Sequence, residues 1–201
     1  MSATRIQLLR HGDVTGGPKL RGSQDDPLTD LGWRQMRAAV AGIQCDRVVA
    51  SPLRRCAEFA RELAEGSGVP LRQDARLQEL HFGEWEGRRY AELTAEDPIA
   101  VSRFFADPFQ YPPPGGESLQ VFCDRVLAAF ADLCGGEFGQ RPLVVTHGGV
   151  IRVLLWHLRD WPPQRLLEIE VPHASLHELR PGADGQWRED AEARERHGAF
   201  G

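Results

Sequence analysis

Apolar positions along this chain fall into two kinds of segment: short dense runs, and longer stretches in which they recur every three or four residues. The first dense run, residues 6–9, ends at Arg10-His11-Gly12 and predicts a buried strand followed by a loop. Gly12, Gly16, Gly17, Pro18 and Gly22 make the next stretch irregular. Thr29 can then cap a helix in which Leu31, Met36, Val40 and Ile43 lie near helical spacing. Residues 47–50 predict a second strand, closed by Ser51-Pro52. Residues 53–65 predict a helix with Cys56, Phe59, Ala60 and Leu63 on one side, ended by Gly66 and Gly68.

Residues 76–117 follow neither period. Trp85, Tyr90, Phe104, Phe105, Phe109 and Tyr111 precede Pro112-Pro113-Pro114-Gly115-Gly116, which predicts one or two short helices and a proline-rich loop. This segment, about residues 85–117, is expected to cap a site rather than join the main sheet. Residues 118–133 predict a helix burying Leu119, Phe122, Val126 and Phe130. Residues 143–146 predict a strand ending at His147-Gly148-Gly149, and residues 150–158 a further helix. Residues 168–171 and 175–179 read as closing strands. Residues 182–201 are polar apart from Trp187, and a frayed tail is expected over about residues 188–201. Strands alternating with helices imply an α/β fold: a three-layer sandwich with a mostly parallel central sheet, helices on both faces and a small helical and loop cap. A single domain spanning residues 1–201 is expected.

Composition limits the partners. Apolar residues make up 41% and charged residues 26%, the balance of a folded globular protein. A formal net charge of -5 gives no support to nucleic acid or an anionic membrane as partner. Cys45, Cys56, Cys123 and Cys134 form no C-x-x-C pair, so zinc-ribbon and thioredoxin readings lack support and the cysteines read as buried apolar filler. No signal pattern opens the chain and no apolar run suits a membrane span, so a cytoplasmic location with free thiols is the expectation.

The chemistry gathers where strands end, which is where open α/β sheets bind ligands. Residues 8–12 and 144–148 are both an apolar strand delivering His-Gly, so His11 and His147 lie side by side if those strands are neighbours. Arg10 precedes His11, and Arg55 opens the helix after Ser51-Pro52. Guanidinium forks match phosphate oxygens, and nearby positive charge favours a neutral, nucleophilic imidazole. Expelling an alkoxide from a phosphate ester also needs a proton donor. Residues 77–87 offer Glu79, Glu84 and Glu86, and spacing alone does not choose among them.

Arg10-His11-Gly12, Ser51-Pro52-Leu53-Arg54-Arg55, Glu79-Leu80-His81-Phe82-Gly83-Glu84-Trp85-Glu86-Gly87 and Thr146-His147-Gly148-Gly149 resemble, in order and separation, the signature blocks of the histidine phosphatase (phosphoglycerate-mutase-like) superfamily. The resemblance runs over about residues 5–180. It implies that His11 is a nucleophile that becomes phosphohistidine and that Arg10, Arg55 and Gly148 bind the phosphoryl oxygens. His147 would donate to the same oxygens, and Glu79 would be the general acid. It implies neither metal nor cofactor. One departure stands out: many members carry a polar residue, often asparagine, some six positions after the nucleophile, where this chain has Gly17.

Arg21-Gly22-Ser23-Gln24-Asp25-Asp26-Pro27-Leu28-Thr29 and the block from Glu79 to Gly87 further resemble the bacterial α-ribazole phosphatase branch. That resemblance implies a small-molecule phosphate ester as partner, namely α-ribazole 5′-phosphate or adenosylcobalamin 5′-phosphate in cobalamin biosynthesis. Trp85, Phe104, Phe105, Phe109 or Tyr111 would flank the base. The alternatives are a broad-specificity phosphatase of small esters and a phosphoglycerate mutase, although the middle segment is short for excluding water. A catalytically silent binding module would have lost a catalytic residue, and none is lost. His173-x-x-x-His177 has metal-like spacing but no cysteine partners, and both histidines are expected at the pocket rim or surface. Monomer and homodimer stay open.

Overall fold

The computed structural model describes residues 3–190. Its strands are β1 (Ile6–Arg10), β2 (Arg47–Ala50), β3 (Leu71–Gln73), β4 (Pro142–Thr146), β5 (Leu176–Pro181) and β6 (Trp187–Glu189), joined in one sheet in the order β3-β2-β4-β1-β5-β6. β3, β2, β4 and β1 are parallel neighbours, whereas β5 pairs antiparallel with β1 and β6 antiparallel with β5. The helices are α1 (Asp30–Ala39), α2 (Arg54–Ser67), α3 (Tyr90–Glu96), α4 (Pro98–Ala106), α5 (Leu119–Gly135) and α6 (Gly148–Leu158).

The central strands are buried on both faces, and successive side chains divide between them. Ile6, Leu8, Val49 and Val144 pack with Phe122, Val126 and Phe130 of α5 and Ile151 and Leu154 of α6. Leu9, Val48, Ala50, Leu143 and Val145 pack with Met36 of α1 and Cys56, Phe59 and Ala60 of α2. The expected mixed sheet flanked by helices is thus present.

Thr29 caps α1 as expected, its hydroxyl accepting from the Gly32 N–H at 3.0 Å. The helix is shorter than the apolar spacing suggests. It ends at Ala39, Leu31 is 47% exposed, and Ile43 packs from the turn beyond. Gly66 lies inside α2, and Gly68, at φ 67°, is the left-handed residue that ends it.

The closing strand expected over residues 168–171 does not form. A 3₁₀ turn (Pro163–Glu168) fills its start, and the Ile169 and Val171 carbonyls accept from the side chains of Arg152 and Arg10 rather than from a ladder. Ile169 and Val171 are buried, so their apolar character was real but served packing against the helices. β3 and β6, three residues each, are short edge pieces that local pattern did not mark. Because β6 includes Arg188 and Glu189, the chain is ordered past the point where fraying was expected; residues 191–201 lie outside the described residues.

In the middle segment, Trp85 and Phe104 are core residues, and Tyr90, Phe105 and Tyr111 are exposed. Arg125 of α5 ties the start of this segment down. It forks onto Glu117 with bonds of 2.7 and 2.8 Å and donates to the carbonyls of Arg76, Gln78 and Glu79 at 2.8, 2.7 and 3.0 Å. Thr146, at the end of β4, adds a 2.8 Å bond to the Leu77 carbonyl. Removing the fork by Arg125→Met strands Glu117 and three carbonyls, and should cost about 2–4 kcal/mol. A urea midpoint equal to wild type would show that the clamp contributes nothing.

Candidate active site

β1 and β4 pair in parallel with Arg10 opposite Thr146, so the residues that follow them leave the sheet side by side. The ring centroids of His11 and His147 are 5.3 Å apart and the planes meet at 64°. His11 Nδ1 donates to the Gly12 carbonyl at 2.9 Å, which leaves the lone pair on Nε2. His147 is fully buried. Its Nδ1 accepts from Arg55 Nε at 3.2 Å, so its proton sits on Nε2, 2.7 Å from the Ser51 hydroxyl at the end of β2. Burial, then the Arg10 and Arg55 guanidinium groups, holds the His11 imidazole well below the usual histidine range. Burial, then Arg55, does the same to His147. Both rings are therefore neutral near pH 7.

Arg55 is wholly buried, and its Nη1 and Nη2 donate to the Gln24 and Gly22 carbonyls at 2.8 Å each. It thereby fixes the loop after β1 against the imidazole pair. Arg10 bonds the Val171 carbonyl, and burial pushes its guanidinium down to about 10.

The structure chooses among the three glutamates. Glu86 accepts from the Ser23, Gln24 and Phe82 N–H groups at 2.7, 2.7 and 3.1 Å, so it is a loop clamp. Glu84 is exposed. Glu79 accepts from the Leu80 and Gly149 N–H groups at 3.0 Å each and reaches the cavity of His11. A Cβ on Gly149 would lie 2.1 Å from Glu79 Oε1, which explains the second glycine of His147-Gly148-Gly149. Helix α6 begins at Gly148, so His147 is its N-cap and Gly148 stands in its first turn.

Arg10, His11 and Glu79 line a cavity of about 390 Å³ together with Asp13, Gly17, Lys19, Arg21, Phe82 and His173. Arg55, His147 and Gly148 are packed behind this surface rather than on it. On the other side of Glu79 lies an apolar chamber of about 150 Å³, with Leu20, Phe82, Phe104, Phe105, Phe122 and Arg152 in its wall. Of the aromatics expected to flank a base, Phe104 and Phe105 are there, while Trp85, Phe109 and Tyr111 are elsewhere.

Several residues here escaped sequence reasoning. Ser51 was quoted within its block without a role. Lys19 and Arg21 share Asp26, with contacts of 3.0 and 2.7 Å, and Arg21 also donates to the carbonyls of Thr15 and Gly17. Gly17, at φ 69°, faces the cavity with nothing near its missing Cβ. The ring of His173 is 5.6 Å from that of His11, and burial brings it down to about 4. His177 is not at the rim or surface as expected. It is buried between Glu189, at 2.9 Å, and Ser175, at 3.2 Å, so the metal-like spacing does not bring the two histidines to one place.

The three neutral histidines make stability depend on pH. Their folded values lie below the ordinary 6.5. The unfolded chain therefore binds protons that the folded chain refuses. Their contribution is present above about pH 6.5 and is lost as pH falls, at up to about 1.4 kcal/mol per pH unit for each histidine. Urea midpoints should drop between pH 7.5 and 5, and His173→Asn should flatten part of that slope. An unchanged slope in that variant would contradict the burial of a neutral His173.

A family model described as the histidine phosphatase superfamily (branch 1) matches residues 6–192. Among curated proteins, the glucosyl-3-phosphoglycerate phosphatase of Mycolicibacterium vanbaalenii is 35% identical over 175 residues, 81% of this chain and 77% of that protein. The adenosylcobalamin/alpha-ribazole phosphatase of Salmonella typhimurium is 31% identical over 172 residues, 83% of this chain and 85% of that protein. The solved structure of a mycobacterial glucosyl-3-phosphoglycerate phosphatase complexed with VO3 superposes with a TM-score of 0.82 at 32% identity, covering 94% of this chain and 98% of the other. A family match over nearly the whole chain, on a sheet that brings the paired His-Gly blocks together, makes this chain a phosphatase of the histidine phosphatase superfamily.

Proposed function

We propose that the chain hydrolyses a small-molecule phosphomonoester through a phosphohistidine at His11. The observation that carries this reading is the His11 ring itself. Gly12 holds its Nδ1 proton, and Nε2 is left free and neutral in a cavity that it shares with Arg10 and Glu79. Nε2 attacks phosphorus and the bond to the leaving oxygen breaks. Glu79 gives that oxygen its proton. Water then attacks phosphorus, Glu79 takes a proton from it, and the N–P bond breaks to release phosphate and neutral His11. Arg10 lines the cavity and stabilises the charge spread over the phosphoryl oxygens, Arg55 adds positive charge from behind that surface, and His147 reaches those oxygens by releasing its Nε2–H from Ser51, so the step needs neither metal nor organic cofactor.

As substrate, α-ribazole 5′-phosphate or adenosylcobalamin 5′-phosphate is supported by the phenylalanine-lined chamber beside Glu79 and by the Salmonella relative. A glucosyl-3-phosphoglycerate is the second reading. The Mycolicibacterium relative favours it, and so does the presence of a cation, Arg152, in that chamber. Rates on these esters, 3-phosphoglycerate and an aryl phosphate, measured side by side, decide between them. A kcat/KM for one natural ester at least a hundredfold above the rest identifies it, and similar values throughout mean broad specificity. Phosphoglycerate isomerised faster than any ester is hydrolysed would mean a mutase. Cytoplasmic action is part of this reading; no helix among the described residues is long and apolar enough to cross a membrane.

His11→Ala should abolish the trapped phosphoenzyme and lower kcat by about a thousandfold or more. Retained turnover would exclude His11 as the nucleophile. Glu79→Gln can still accept from Leu80 and Gly149 but cannot donate the carboxylic proton. It should cost about 10²–10⁴ in rate on alkyl phosphates and far less on a nitrophenyl ester. Equal losses on both would exclude Glu79 as the acid.

A further inference from the structure

Arg152 is a cation in an apolar place. It projects from α6 into the chamber among Leu80, Phe104, Phe122, Val153 and Leu166. Its Nε donates to the Ile169 carbonyl at 3.0 Å, and among the described residues this is its one hydrogen bond. Neither Nη atom is sealed away without a partner, so the outer edge of the guanidinium stays accessible on a residue that lines the chamber. Glu79 and Arg10 couple to it electrostatically. One bond to a backbone carbonyl does not call for a guanidinium, and an unpaired charge in apolar surroundings is costly.

The balance of charge says what would pair with it. Arg10, Arg55 and Arg152 are positive, and the three histidines are neutral. Lys19 and Arg21 at the rim share Asp26, and Asp13 adds a second carboxylate to the same cavity. A phosphate dianion offsets two of the three inner arginines, and Glu79 bears a proton when it acts as acid. One positive charge then stays unmatched, on the leaving-group side. A carboxylate fits the open edge of a guanidinium in a bidentate fork.

We propose that Arg152 is a specificity-determining residue that pairs with a carboxylate on the leaving group, so that the preferred substrates are phosphomonoesters of an apolar-bodied alcohol bearing one acid group. This rests on the reading that the leaving group enters the chamber beside Glu79, and it shares with the second of the two substrate readings only the carboxylate. The probes are phenyl phosphate and 3-carboxyphenyl phosphate, which share a ring and differ by the acid. The wild-type enzyme should prefer the carboxylated ester at least tenfold in kcat/KM, mainly through KM. Arg152→Met should bring that ratio to about 1 by losing affinity for the carboxylated ester, with kcat/KM on phenyl phosphate within about threefold of wild type. A wild-type ratio near 1 overturns the proposal without any variant. So does a variant that loses equally on both esters, because Arg152 would then act through the packing of α6 or through Glu79. Rapid-quench detection of phosphohistidine on His11 with phenyl phosphate separates the two levels. A labelled His11 with a flat ratio sinks only the role of Arg152, and an unlabelled His11 sinks the phosphohistidine reading itself.

Discussion

The parallel pairing of β1 with β4 is the constraint on which the site depends, because each strand hands over a histidine at its carboxyl end. Its register is strongly specified. Both strands are buried on both faces, and a slip by one residue would exchange every inward side chain between the α1–α2 layer and the α5–α6 layer. The same slip would part the two imidazoles. Apolar packing on either side of the sheet therefore serves as the positioning device for polar chemistry at its edge.

Around that pair, the chain is fastened by polar groups that act as ties. Arg55 holds the loop after β1, Glu86 holds the same loop from the other side, and Arg125 with Thr146 holds the segment that carries Glu79. Each is a side chain bonded to backbone groups, which gives irregular segments the partners that a helix or ladder would otherwise provide. Glu79 stands in the wall between two spaces of opposite character. One is rimmed with charge, and the other is lined with phenylalanine. In the proposed mechanism a carboxylic acid placed there would face the bond to be broken from the side on which the leaving group departs.

Electrostatics divides the inner groups into two sets. Burial and neighbouring guanidinium groups keep the imidazoles neutral, while the arginines stay charged even where burial lowers them, because their ordinary value is so high. The positive charge needed to hold a phosphoryl group is thus carried by groups that do not titrate near pH 7. His11, the proposed nucleophile, keeps its lone pair beside them.

The sequence by itself determined the central strands, most helices, the α/β class, and the order His11, Arg55, Glu79, His147, because dense apolar runs and His-Gly or Arg-rich strand ends are local signals. Spacing left three glutamates level, since each has much the same neighbours along the chain, and the family resemblance alone singled out Glu79; folding shows that Glu86 meets the loop at residues 22–24 and Glu79 meets Gly149. Residues 169–171 looked like strand because they are apolar, but two arginines claimed the Ile169 and Val171 carbonyls. Arg152, Lys19 and Arg21 were silent in the sequence because a cation reads there as a solvated charge. Whether it faces water or a cavity depends on distant segments, those of Glu79 and Phe104 for Arg152 and those of Glu79 and His173 for Lys19 and Arg21. Burial tendency is written in short-range pattern, whereas the partner of each polar group is set by long-range contact, and only the tertiary structure decides it.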